Sequence, residues 1–347
     1  MINTSNAYKQ QIENDNRNFI EYADITLLDG TVLNLTNKDI WAGGFSIEDA
    51  VSGSDSFQIG SAIINKLTLT LNNMYGDFED INFDGAVVQA AVGLRLENGN
   101  IEKLQKGQFN VDDPKRSGAL ITLECLDNMA KFDRPYSEST LSYPATRGQI
   151  LRDACGRCGV VLSTVTFDGS DSIVQARPDD EALTFRQVIA WVAQLSCKWA
   201  RCNTLGQLEL IWFDENALMA EAPEQESYHD IRSLNGSPTV ADDDVVVTGI
   251  KVVVEDTEGT SVEYLAGNEG YILSIEGNKL IQQVDGQTVA SVLGEKLIGL
   301  RFRPINVSCL SDPSREAGDI MIITDRKGRS YRGIITETKF SNGNYQQ

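Results

Sequence analysis

Short apolar strands broken by glycine turns constrain this chain more than any other feature, and they are clearest between Ser314 and Gln347. There SREAGDIMIITDRKGRSYRGIITETKFSNGNYQQ reads as a β-meander. Gly318-Asp319 opens a strand with apolar Ile320, Ile322 and Ile323, and Lys327-Gly328 marks a turn. Tyr331 to Lys339 alternates over a second strand, with Gly333 at a bulge or close approach. Asn342-Gly343 is a hairpin signal with too little after it for a return strand. The expectation is the ordered front part of a longer polypeptide built around small β-barrels. A fainter echo follows Asp84-Gly85, where AVVQAAVGLRLENGNIEKLQKGQFNVDD repeats the order turn, apolar strand, Gly turn, Gly-containing strand. Its spacings differ, so it fits two ordinary hairpins as well as a duplication.

A chain of 347 residues is expected to make two to four domains at roughly 100–150 residues each. No stretch approaches the roughly 20 apolar residues that span a bilayer, and Met1 to Ile20 is polar. Membrane insertion by this segment is not expected. The formal net charge of −20, with no basic stripe, argues against a role that neutralises phosphates.

His229, in the polar run EQESYHDIRS, is the only histidine. Hydrolytic triads, Cys–His pairs and His-rich zinc sites all need a positioned imidazole. No GxSxG, HExxH, P-loop or GxGxxG pattern occurs. Carboxylate pairs are uninformative among 50 acidic residues. No catalytic residue and no cofactor are therefore expected.

Cys155 and Cys158 form CGRC at a helix end, and Cys197 and Cys202 follow a second helix. This spacing admits a four-thiolate zinc site, a redox pair or disulfides. The thioredoxin context, a strand leading into CxxC at a helix start, is absent. Reduced cysteines packed as small hydrophobes are the expected state, and no metal is expected. Cys125 and Cys309, in strand-like runs, read as core.

The fold class predicted is mainly β with an α+β insert. Residues 1–136 hold a helix-capable segment, Asn6 to Asn18, then a hairpin ITLLDGTVL with a type I′ signal at Asp29-Gly30. A Gly/Ser/Asp-rich stretch, Gly43 to Gly60, leads to the alternating strand KLTLTLNN and to ALITLECLDN. Residues 137–225 change character: helices open at Thr146 and Thr184, VVLSTVTF reads as a strand, and KWARCNTLGQLELIWF reads as a hairpin about Leu205-Gly206. Trp191, Trp199 and Trp212 are expected in that core. A linker, 226–244, precedes a second β-domain, 245–347. It holds strands in VVVTGIKVVVED and SVEYLAGNEGYILSI and a helix with Val289, Val292, Leu293 and Leu297 on one face.

With FSIEDAVSGSDSFQIGSAIINKLTLTLNN near the start and AGDIMIITDRKGRSYRGIITETKFSNG near the end, the layout resembles the tail hub of long-tailed bacteriophages. That is the front part of the tail-associated protein, similar to the baseplate hub of contractile phages. The resemblance spans nearly the whole chain and implies two β-barrel-like domains flanking the insert. It implies a homotrimer whose paired barrels make six near-equivalent units, a symmetry adaptor between a six-fold tail tube and a three-fold tip. Implied partners are the distal tail protein, tail tube proteins and the tape measure protein, with phage DNA passing through without specific binding. The implied location is the distal tail tip of a virion assembled in the bacterial host cytoplasm, and lytic activity would belong to a C-terminal extension. The alternatives are a cell-wall hydrolase using carboxylates and a carbohydrate-binding adhesin, the latter at odds with 7% aromatic content.

Overall fold

The computed structural model describes residues 1–14, 16–53, 57–219, 238–255, 260–325, 327–341 and 345–346. His229, the Asn342-Gly343 turn and most of the 226–244 linker lie outside the described residues.

A short helix, α1 (Asn6–Ile12), begins where Ser5 Oγ accepts from the Tyr8 amide at 3.1 Å. Seven strands follow: β1 (Phe19–Thr26), β2 (Val32–Thr36), β3 (Ile40–Ala50), β4 (Lys66–Asn72), β5 (Val87–Arg95), β6 (Ile101–Ser117) and β7 (Leu120–Asp127). Alternation is cleanest in β4, which buries Leu67, Leu69 and Leu71 and turns Thr68 and Thr70 to the other face. The β1–β2 turn is not type I′. Gly30 takes φ 86°, Asp29 does not turn left-handed, and the Gly30 amide donates to Leu27 O at 3.0 Å. Asp29 Oδ1 instead accepts from the Thr31 amide at 2.8 Å, giving a type I turn closed by a glycine bulge. The β5–β6 turn at Asn98-Gly99 repeats this bonding.

The insert contains α2 (Arg147–Cys158), α3 (Phe185–Leu195) and the hairpin of β8 (Trp199–Cys202) and β9 (Leu208–Ile211). Both helices start in capping boxes: Thr146 with Gln149 and Thr184 with Gln187 exchange side-chain and backbone bonds. VVLSTVTF does not form a strand. Leu162 alone bridges to Leu208, and beyond it the Thr164 hydroxyl accepts from the Leu210 amide at 3.1 Å where a ladder carbonyl would stand.

The main later elements are β10 (Val245–Glu255), β11 (Ser261–Gly267), β12 (Tyr271–Ile275), α4 (Gly286–Leu297), β13 (Ile320–Thr324), β14 (Ser330–Ile334) and β15 (Glu337–Ser341). β10 pairs antiparallel with β11 and parallel with β12. Ala290, Leu293 and Leu297 of α4 are buried; Val292, expected on that face, is about half exposed. β13 and β14 pair in unbroken register through Gly333, so no bulge occurs there.

The chain's two ends share one sheet. Its antiparallel path runs Cys309–Leu310, Tyr345–Gln346, β15, β3, β4, β7, β6, β5, β1, β2. β15 sets Phe340 opposite Ile47 and Lys339 opposite Glu48. The boundary expected at 245 therefore does not separate two sheets, because the last strands complete the first one. The Gly/Ser/Asp-rich stretch, Gly43 to Gly60, contains most of β3, a central strand. Its alternation breaks where the register shifts between Ile40 and Phe45. The sheet curls into a barrel-like wall: buried residues from β1 to β7 and Phe340 form one core.

A second core joins the insert to the β10–β12 sheet and α4, with Val188, Ile189 and Trp199 in one cluster with Leu273, Leu293 and Leu297. The insert is thus not a free-standing unit. Trp199 is fully buried, and Trp191 and Trp212 pack against the same cluster.

Candidate functional site

The strongest convergence of polar side chains lies where the barrel, the insert and the C-terminal segment meet. β3 supplies Asp49, the loop before β4 supplies Asn65, β7 ends on Asp127, and β8 and β9 supply Arg201 and Glu209. The loop before β13 supplies Glu316 and Ala317. Asp49 accepts from Asn65 Nδ2 and from the Ala317 amide, both at 2.8 Å. Asn65 Oδ1 accepts from the Ala50 amide at 3.0 Å. Arg201 Nε meets Glu209 at 2.8 Å, its Nη2 lies 3.8 Å from Glu316, and Nη1 donates to Ala317 O at 3.1 Å. Burial pulls this guanidinium toward the neutral form, but Glu316, Asp49 and Glu209 offset it, and its pKa ends above the ordinary value.

Asp127 is the misfit of this cluster. Oδ1 caps the following 3-10 turn, accepting from the Met129 amide at 3.0 Å, while the buried Oδ2 has no partner. Burial raises its carboxyl to about 8, against the backbone bonds and Arg186 that pull it down. The hollow lined by Asp49, Lys106, Asp127, Arg201 and Glu316 measures about 30 Å³, room for about one water and far below the roughly 300 Å³ of a small-molecule site. A second hollow, about 230 Å³, lies between α4 and the start of α2. Its charged groups face one another or backbone: Lys296 meets Asp168 at 3.2 Å, and Arg147 Nη1 donates to Leu195 O at 2.8 Å. The junction can hold three parts of the chain in fixed register.

A ring cluster locks the same three parts beside this junction. Phe57, from the loop before β4, stands 5.8 Å from Trp199 of the insert and 5.0 Å from Phe302 of the C-terminal part. Trp199 also donates from Nε1 to Gln58 O at 2.7 Å.

Cys155 and Cys158 sit in the last turns of α2, Cys197 just after α3, and Cys202 at the end of β8. All four are free thiols. Burial raises Cys155 to about 12, and Cys158 and Cys197 to about 11, and it pushes Cys202 well up. Thiols whose pKa is pushed up by burial are poor nucleophiles. Among the described residues no three His, Cys, Asp or Glu side chains gather in a way that holds a metal ion. Cys125 and Cys309 are buried in strands. The junction itself left no motif: its members come from six separate stretches, and only the Asp127–Asn128 helical start had a local signal.

No family model matches the sequence. No curated protein matches it either. Solved structures do. A 43 kDa tail protein of prophage MuSo2 from Shewanella oneidensis aligns over 94% of this chain and 96% of its own, with 12% identity and a TM-score of 0.54. A tail protein from Neisseria meningitidis MC58 aligns over 94% of each chain, with 10% identity and a TM-score of 0.55. A chain of a PdpA–VgrG complex aligns over 94% of this chain and 60% of its own, with 10% identity and a TM-score of 0.52. The chain has the mainly β fold of these tail proteins.

Proposed function

We propose that this chain is a structural hub protein at the distal end of a bacteriophage tail, a homotrimer that adapts the six-fold tube to a three-fold tip and surrounds the DNA exit channel. The observation that carries this reading is end-to-end likeness of fold: two tail proteins align over nearly all of both chains. The segments proposed to form the ring are 1–136 and 245–347, the latter's last strands completing the sheet of the former, with the insert 137–225 outside it or toward the tip. Partners in this reading are the distal tail protein, the tube proteins and the tape measure protein. Three chains at −20 each make a strongly acidic ring, which repels DNA phosphate instead of binding it.

The reading assigns no catalysis to residues 1–347: burial pushes the thiols' pKa values up, and Asp49, Asn65 and Arg201 are engaged in bonds between parts of the chain. Native mass spectrometry of the assembled protein tests it. Three times the chain mass of 38.1 kDa is expected, with assembly weakening at low salt, where like-charge repulsion is least screened. A monomer in intact tails, or cleavage of peptidoglycan, peptide or glycan lost on one carboxylate substitution, overturns it.

A further inference from the structure

The barrel has two unlike ends. One faces the insert through Asn65 and Asp127. The other carries the β1–β2 turn, the loop from β4 to β5 and the β6–β7 hairpin tip, because Thr26 pairs with Val32 and Val87, and Asn72 pairs with Leu120. This free end gathers large apolar side chains that folding leaves in water: Leu28 at 79% exposure, Met74 at 63% and Tyr75 at 88%. Trp41, 44% exposed, stands beside it on the four-residue bulge between Ile40 and Phe45.

Met74 and Tyr75 occupy the corner of a tight turn, where the Gly76 amide donates to Asn73 O at 3.1 Å and Gly76 takes φ 81°. Turn corners ordinarily carry polar residues. This one is also rigid. Asn73 accepts from the Phe78 amide and donates to Glu79, both at 2.9 Å, and Asn72 Oδ1 accepts from the Met74 amide at 3.2 Å. Arg116 Nη2 donates to Phe78 O at 3.2 Å and Ile81 O at 2.8 Å. Phe78 and Phe83 anchor the loop in the barrel core. An exposed Met–Tyr pair on a preorganised loop loses little entropy when it docks.

Charge selects the occupant. The loop from Asn73 to Gly85 carries exposed Asp77, Glu79, Asp80 and Asp84 and no basic residue. The nearby cations are committed, Lys115 to Asp113 at 2.9 Å and Arg116 to the loop carbonyls, which leaves Lys38. A second copy of this face would set carboxylates against carboxylates, and an anionic lipid surface would be repelled.

We infer that the free end of the barrel, led by Met74 and Tyr75, docks into a different protein that offers an apolar socket rimmed by Lys and Arg. This rests on the tail-hub reading and names the surface by which such a hub meets a neighbour. The test places a photo-crosslinking benzophenone amino acid at position 75 of the full chain and irradiates assembled tails. The expected product joins this chain to a different polypeptide, at a segment with basic and apolar residues together. A crosslink to another copy of this chain, or none in tails that contain it, overturns the inference and leaves the hub reading standing. Absence of the chain from tails overturns both. Independently, the Met74→Ser/Tyr75→Ser double variant should keep its melting temperature and lose at least tenfold in incorporation into tails; undiminished incorporation counts against the inference.

Discussion

The rings of Phe19 and Phe340 meet edge to face with centroids 6.2 Å apart, although five strands of the sheet path lie between β1 and β15. Only a sheet curled nearly into a barrel brings them together. Phe340 also stands edge-on to Phe45 at 6.4 Å, so a residue from near the chain's end completes the core of its first strands.

Phe340→Ala is expected to cost about 3–5 kcal/mol, from lost burial plus a cavity in a wall that cannot collapse freely. Urea denaturation checks this. A cost below about 1 kcal/mol would mean that β15 is peripheral to the barrel.

Gly60→Ala is expected to destabilise by more than about 2 kcal/mol. Gly60 holds φ 79°, and an added Cβ would fall 2.0 Å from Gln194 Cβ on α3. The Gly60 amide donates to Lys198 O at 3.0 Å, so relief by moving the loop would break a bond between barrel and insert. Melting curves of the variant should show a clear drop; an unchanged midpoint would show that this contact can slide.

Asp127→Asn should stabilise the protein at pH 8. The carboxyl rises from an ordinary 3.8 to about 8 on folding, chiefly through burial. Between those values the folded state holds a proton that the unfolded state has released, so stability falls as pH rises. Asparagine keeps an oxygen for the Met129 amide and carries no charge. A gain of at least about 1.4 kcal/mol at pH 8 is expected, shrinking toward pH 4. A pH-independent difference would assign the effect to packing.

Cys155, Cys158, Cys197 and Cys202 should resist alkylation at pH 8 in the native state by at least about a hundredfold relative to the unfolded chain. Elemental analysis of protein purified without chelator should find zinc far below one atom per chain. Stoichiometric zinc, lost in Cys155→Ser or Cys202→Ser, would show that the spacing outweighs the burial.

The sequence by itself determined what depends on neighbours along the chain. Capping at Thr146 and Thr184 needs only a Gln three residues on, the β4 strand needs only its alternation, and the glycine turns need only their own four or five residues. Tertiary structure decided what depends on distant partners. Lys339 finds Glu48 across 291 residues, and no local pattern records that β15 belongs beside β3. The Gly43-Gly44 bulge even hid that β3 is a strand. Asp49, Asn65, Asp127, Arg201 and Glu316 carry no shared spacing, because a buried polar cluster is assembled by packing of separate elements. Asp127 owes its raised pKa to the desolvation that this packing imposes.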